Sequence, residues 1–143
     1  MTDDPRRSVR LERSGAGTYL ARNSRGGELA FGSGDDAQFT PVEMLLAAVG
    51  GCSAIDVELI TGKRAEPERF AVEIAADKVR DADGNHLGPV QVTFEVAFPE
   101  GAQGDAARGV LERSIQQSRE RLCTVSRTVA LPTEVAMSQG EVR

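Results

Sequence analysis

Tryptophan is absent from the 143 residues, tyrosine occurs once and phenylalanine five times. So few aromatic rings leave little stacking platform for nucleic-acid bases. Basic residues are also in the minority, 17 against 22 acidic ones for a net charge of −5, which argues against a surface built to neutralise phosphates. Nucleic acid is not an expected partner. No uninterrupted apolar run approaches the roughly 18–20 residues that span a bilayer, so no membrane partner is expected either. The opening MTDDPRRSVR carries no apolar stretch and points to a cytoplasmic location. Histidine is scarcer still: His86 is the only one, and there are two cysteines, Cys52 and Cys123, 71 positions apart. A His/Cys metal centre needs three or four clustered ligands, which two distant thiols and one imidazole do not readily supply. Neither a metal nor a bound cofactor is expected. His86 lies in DADGNHLG, which reads as a turn rather than as part of a catalytic triad.

What is present is an ordinary globular composition, 40% apolar, with no internal repeat and no linker. It reads as one domain, 1–143, large enough to bury a core. The N-terminal third reads as a meander of three short strands, Ser8 to Arg13, Thr18 to Arg22 and Glu28 to Phe31, with turns at SGAG and NSRGG. After a flexible GSGDDAQ loop the pattern changes. Thr40, Pro41 and Glu43 are spaced as N-cap, first-turn proline and capping-box acid, and the helix they start runs to about Gly62. Its first half, from Val42 to Val49, is apolar on every side except at Glu43, which predicts a central, buried helix. Alternation returns from Phe70 to Ala76 and again in PVQVTFEVAF, on either side of a DADGN turn. Asp105 is placed to cap a second helix from Ala106 to about Leu122, and Thr133 to Met137 reads as a last strand. The order βββ-α-ββ-α-β is not that of a doubly wound parallel sheet. It predicts an α+β fold with antiparallel sheets around a long central helix plus a second helix.

Gly50 and Gly51 stand together inside the first helix, where each costs about 1 kcal/mol relative to alanine. Either another helix crosses closely there, in this subunit or a partner, or a substrate or second thiol needs access to the residue that follows, Cys52. A free cysteine is commonly a small buried hydrophobe. Cys123 alters that reading, because it lies in RERLCTVSRT among Arg119, Arg121 and Arg127, where a thiolate would have cationic neighbours. Two cysteines at helical positions in a cytoplasmic chain read as a reversible redox pair rather than a permanent disulfide. Asp56, one turn beyond Cys52, shares its helix face.

FTPVEMLLAAVGGCSAIDV resembles the central-helix signature of the osmotically induced protein C and organic hydroperoxide resistance (OsmC/Ohr) family, and LCTVSRTV resembles its second-cysteine motif. The likeness runs from NSRGGELAFG to the closing strand, in the same order and spacing. It implies an intertwined homodimer with two sites at the subunit interface, Cys52 as the cysteine that attacks a peroxide and Cys123 as the one that resolves it. It implies organic hydroperoxides as substrates, and an external dithiol or lipoylated protein as reductant in place of a bound cofactor. The family's peroxidases carry on the first helical turn a carboxylate that orients an arginine against the thiolate. Here that position is Val42, with Glu43 one residue on and rotated by about 100°. Glu43 is thus either a site residue or only the partner of Thr40. In this the chain is similar to a YhfA-like branch of the family. Arg22, Arg25 and Arg127 are the candidates for the arginine. The expected activity is a thiol-dependent peroxidase; the alternative is a non-enzymatic dimeric stress or small-ligand-binding protein with Cys52 in its core.

Overall fold

The protein is described by a computed structural model covering residues 4–143. The chain gathers into two compact units, Met1–Leu45 and Leu46–Arg143. The first is the expected meander: β1 (Arg10–Gly15), β2 (Thr18–Arg22) and β3 (Glu28–Gly32) pair antiparallel in that order. Register places Leu11 opposite Ala21 and Ala21 opposite Leu29, with Tyr19 opposite Phe31. These odd-numbered residues share one pleated face. The Tyr19 and Phe31 rings stack across it at 5.7 Å.

Helix α1 (Pro41–Thr61) begins where the sequence places it. The Glu43 N–H donates to Thr40 Oγ1 at 3.2 Å and the Thr40 N–H donates to Glu43 Oε1 at 2.9 Å, so the capping box is closed. Burial along α1 follows one stripe, Val49, Gly50, Ser53, Val57 and Thr61. The opposite side is open: Leu45 is 40% exposed, Ile55 60% and Leu59 65%. The expectation of a helix buried all round is therefore corrected for the single chain, whose other elements cover one side only. By length and composition α1 could also cross a bilayer, although Glu43, Asp56 and Glu58 interrupt its apolar run. Its buried stripe belongs to the core of the second unit.

Within that unit β4 (Arg69–Ala75) pairs antiparallel with β7 (Gln91–Ala97), the strand with the clearest alternation in the sequence. Phe70 and Phe94 meet edge to face at 6.2 Å. Between them the expected turn carries a hairpin of its own, β5 (Lys78–Asp81) with β6 (Gly84–Leu87). Helix α2 (Ala102–Gln117) starts four residues before the expected Ala106. Gly101, at φ 108°, is its N-cap without any side-chain cap; Asp105 falls in the first turn and pairs with Arg108 at 2.6 Å. Ala107 packs with Ala65 and Phe98, and Val96 and Leu111 border them. The helix then loosens into a π-helical turn, Ser118–Leu122, and a short helix α3 (Thr124–Ala130) follows Cys123. The expected strand Thr133–Met137 does not form: residues 131–143 are neither helix nor strand, and Val135 and Met137 are 74% and 91% exposed. Their alternation has no neighbouring strand to pair with. The fold is α+β with small antiparallel sheets, as the sequence predicts.

Candidate functional site

The elements of the second unit bring Cys52, Asp56 and Cys123 together. Cys52 and Asp56 are one turn apart on α1, and Cys123 follows the π-helical turn. One thiol sulfur from each cysteine and a carboxylate oxygen of Asp56 all lie within 4.8 Å of one another. Both cysteines are free thiols. The π turn makes the meeting possible. In a regular α-helix Ser118 and Cys123, five residues apart, would point about 140° from each other. Here the Cys123 N–H closes onto the Ser118 carbonyl at 2.8 Å, and both side chains are fully buried. Ser118 Oγ donates to Asp56 Oδ2 at 2.9 Å and so fixes the carboxylate.

Cys123 is held by its own sequence neighbourhood. The Ser126 N–H donates to its sulfur at 3.3 Å, and the thiol donates to Ser126 Oγ at 3.2 Å. If Cys123 ionises, the hydroxyl can turn and become the donor. Burial pushes the Cys123 thiol up, yet the hydroxyls of Ser126 and Ser53, the Ser126 N–H and the Cys52 thiol together outweigh it and leave Cys123 below the ordinary thiol value. Cys52 moves the other way. Burial raises it, the Cys123 sulfur and the Asp56 carboxylate raise it further, and a hydrogen bond from the Val125 backbone offsets only part. The negative neighbours that bear on Cys52 thus disfavour its thiolate.

A cavity of about 620 Å³ reaches the cysteines' neighbours Ser53 and Ser126, though neither cysteine lines it. Val49, Val92, Phe94 and Ile115 give it apolar walls, while Ser53 and Ser126, the two hydroxyls that bear on Cys123, and Arg119 supply polar groups. Such a volume is in the range of small-molecule pockets.

Glu43 and Arg22 have side-chain partners of their own, whereas Arg25 and Arg127 are held through backbone N–H groups. Glu43 serves the capping box. Arg22 pairs with Glu28 at 2.8 Å, and the Arg25 N–H is bound by Asn23 Oδ1 in the β2–β3 turn. Arg127 lies on α3, where its N–H donates to the Cys123 carbonyl and its side chain is exposed. Val42, in the place of the family carboxylate, is 43% exposed. His86 bonds to Asp81 across the small hairpin at 2.9 Å, a surface pair. The sequence reading did not single out Ser53, Ser118 or Ser126. Only Ser126 had a local signal, the Cys-x-x-Ser spacing in which the Cys123 side chain takes the N-cap place of α3.

Gly50 answers the question its sequence position posed. A Cβ there would run into the side chain of Ile74, so the close approach is by strand β4 rather than by another helix. Gly51 has open space around it.

Uncharacterized proteins of Mycobacterium tuberculosis and Mycobacterium bovis are 28% identical to this chain over 133 residues, covering 92% of it and 95% of their own length. Among solved structures, an OsmC-like protein of unknown function from Vibrio cholerae is similar with a TM-score of 0.72 and 16% identity, over 90% of this chain and 95% of that one. An organic hydroperoxide resistance protein OsmC from Legionella pneumophila is similar with a TM-score of 0.58 and 13% identity, over 90% and 91%. At those identities the structures speak to the fold alone. The model of the OsmC-like protein family matches residues 33–138, and the chain belongs to that family.

Proposed function

We propose that this protein is a thiol-dependent peroxidase that reduces organic hydroperoxides and serves in defence against peroxide stress. The observation that carries the reading is the pair of free thiols, held with their sulfurs within 4.8 Å of each other; Ser53 and Ser126, which bear on Cys123, line a largely apolar cavity. The Legionella relative's hydroperoxide-resistance name supports it. In the cycle one thiolate attacks the terminal oxygen of the hydroperoxide and the O–O bond breaks. The alkoxide leaves, takes up a proton as the alcohol, and the sulfur becomes a sulfenic acid. The second thiol attacks that sulfur and water departs, leaving a disulfide. An external dithiol, free or carried on a lipoylated protein, restores both thiols by exchange and is itself oxidised.

The resemblance assigns attack to Cys52 and resolution to Cys123. One observation favours the reverse: Cys123 has the hydrogen-bond donors that stabilise a thiolate, and Cys52 has charges that oppose one. Mixing reduced protein with an organic hydroperoxide should consume two thiols per chain and form an intramolecular disulfide. Persistence of both thiols would overturn the enzyme reading and leave a binding protein with an apolar cavity. Trapping the sulfenic acid in Cys52→Ser and Cys123→Ser assigns the roles, because only the variant that keeps the attacking thiol accumulates it.

The homodimer belongs to the same proposal. Leu45, Ala48, Ile55 and Leu59 form an open apolar stripe on α1, Cys52 lies half-buried within it, and Gly51 beside it leaves room for close approach. A second copy laid on this stripe would cover Cys52. A cytoplasmic location accords with a pair that needs reduction to turn over.

A further inference from the structure

The two thiols and Asp56 are arranged for more than oxidation, and we propose that in the reduced protein Cys52, Asp56 and Cys123 form an exchangeable site for a thiophilic divalent cation of the zinc type. A count of histidines and cysteines argues against such a site, because it leaves out the carboxylate. Cys52 and Asp56, at i and i+4 on α1, present two donors on one helix face, the spacing by which helices commonly supply paired ligands. Cys123 adds the third donor from the far side of the π turn, and the three donor atoms lie within 4.8 Å of one another. Zinc–sulfur bonds of about 2.3 Å and zinc–oxygen bonds of about 2.0–2.2 Å need such a cluster to tighten only slightly around an ion.

The donors are also held in place, as ligands of a metal usually are. Ser118 Oγ, fully buried, bonds Asp56 Oδ2 at 2.9 Å, and the Ser126 N–H bonds the Cys123 sulfur at 3.3 Å. Two thiolates with one carboxylate suit zinc or a softer cation and not magnesium or calcium, which require mostly oxygen ligands. Three protein donors leave a fourth position open, as in exchangeable zinc sites rather than closed structural ones. Ser53 and Ser126, the hydroxyls that bear on Cys123, also line the cavity.

Binding one Zn²⁺ displaces the two thiol protons and leaves the site with one net negative charge. It also ties up both sulfurs, so the ion protects the pair from oxidation. Oxidation in turn releases the ion: the dithiolate complex, one organic hydroperoxide and two protons give the disulfide, the alcohol, water and free Zn²⁺. The hydroperoxide is the oxidant and the two sulfurs lose two electrons. This release by peroxide rests on the peroxidase reading, whereas binding does not.

The test is titration of the reduced dithiol protein with Zn²⁺ against a chromogenic chelator, followed by loading with Co²⁺ alone. One Zn²⁺ per chain, proton release on binding, and thiolate-to-cobalt charge-transfer bands with the intense visible bands of a tetrahedral ion are the expected results. Cys52→Ser and Cys123→Ser should each lose the charge-transfer intensity of one thiolate. Asp56→Asn should weaken Zn²⁺ at least tenfold, and Ser118→Ala about 10–100-fold by releasing the carboxylate. A reduced protein that takes no Zn²⁺ from the chelator, a cobalt spectrum without thiolate bands, or variants that bind as tightly as the parent would overturn the site. The cobalt spectrum needs no variant and so does not depend on whether the substitutions fold. Oxidation by a general thiol oxidant should expel the ion whether or not a hydroperoxide can do so, which separates failure of the metal site from failure of the peroxidase.

Discussion

At the scale of single residues, the two cysteines are chemically unequal although both are sheltered. Cys123 is fully buried, which taken alone would keep it a neutral thiol, but the Ser126 and Ser53 hydroxyls, the Ser126 N–H and the Cys52 thiol together reverse the outcome. Cys52 has more solvent and fewer donors, and it faces Asp56. An acid whose charged form is stabilised ionises at lower pH, and one whose charged form is destabilised ionises at higher pH. The pair should therefore lose its first proton below the pH at which free cysteine ionises and its second above it, as macroscopic steps of a coupled pair. Thiolate absorbance in the ultraviolet would follow both. Cys123→Ser should delete the lower step, and a single step at the free-cysteine position would contradict the assignment. The sequence signalled the cysteines and, one turn on, Asp56. It did not show that Ser118, 62 positions from Asp56, holds that carboxylate, because nothing local to either residue records so distant a contact.

At the scale of elements, α1 combines a start that local chemistry dictates with a surface that it does not. Thr40 and Glu43 set the helix start through two hydrogen bonds, and that start was legible. The end of α2 was legible only as a continued helix. One extra residue in its last turn changes the hydrogen-bond ladder without changing the apolar pattern. Its beginning was misplaced because Asp105 has the composition of an N-cap, while the real one, Gly101, has no side chain to announce it. The 78–87 hairpin escaped notice because Lys78–Asp81 contains one apolar residue, Val79, and so no alternation. The paired glycines of α1 give a direct test of packing. Alanine at either position gains about 1 kcal/mol of helix propensity. At Gly50 the added methyl meets Ile74 and overpacks β4 against the helix, at a typical cost of about 1–3 kcal/mol; at Gly51 it meets nothing. Urea denaturation should find Gly50→Ala less stable than Gly51→Ala by about 2 kcal/mol. Equal stabilities would mean that β4 does not press on the helix.

At the scale of the whole molecule, the single chain leaves much apolar surface uncovered. Ile55 and Leu59 on α1 and Leu131, Val135 and Met137 near the C-terminus are all at least half exposed. Burial of a leucine or isoleucine side chain is worth about 1.5–3 kcal/mol, so a partner covering the α1 stripe would gain several such contributions. Light scattering on the purified protein should give twice the 15.2 kDa chain mass. Ile55→Glu with Leu59→Glu should return it to the monomer mass, because two carboxylates cannot be buried unpaired in an apolar seam. A monomer mass for the parent protein would remove the interface. Neither outcome would alter the proximity of Cys52 and Cys123, which one chain supplies alone.

The π turn has a consequence for how such a site can be gained or lost. Cys123 stands near Cys52 because Ser118–Leu122 winds one residue wider than an α-helix. A chain shorter by one residue there would continue as regular helix, and Cys123 would swing by about 100° away from Asp56. The pairing of the two sulfurs is thus a matter of chain length as much as of residue identity: a lineage could keep both cysteines and still uncouple them by a single-codon deletion.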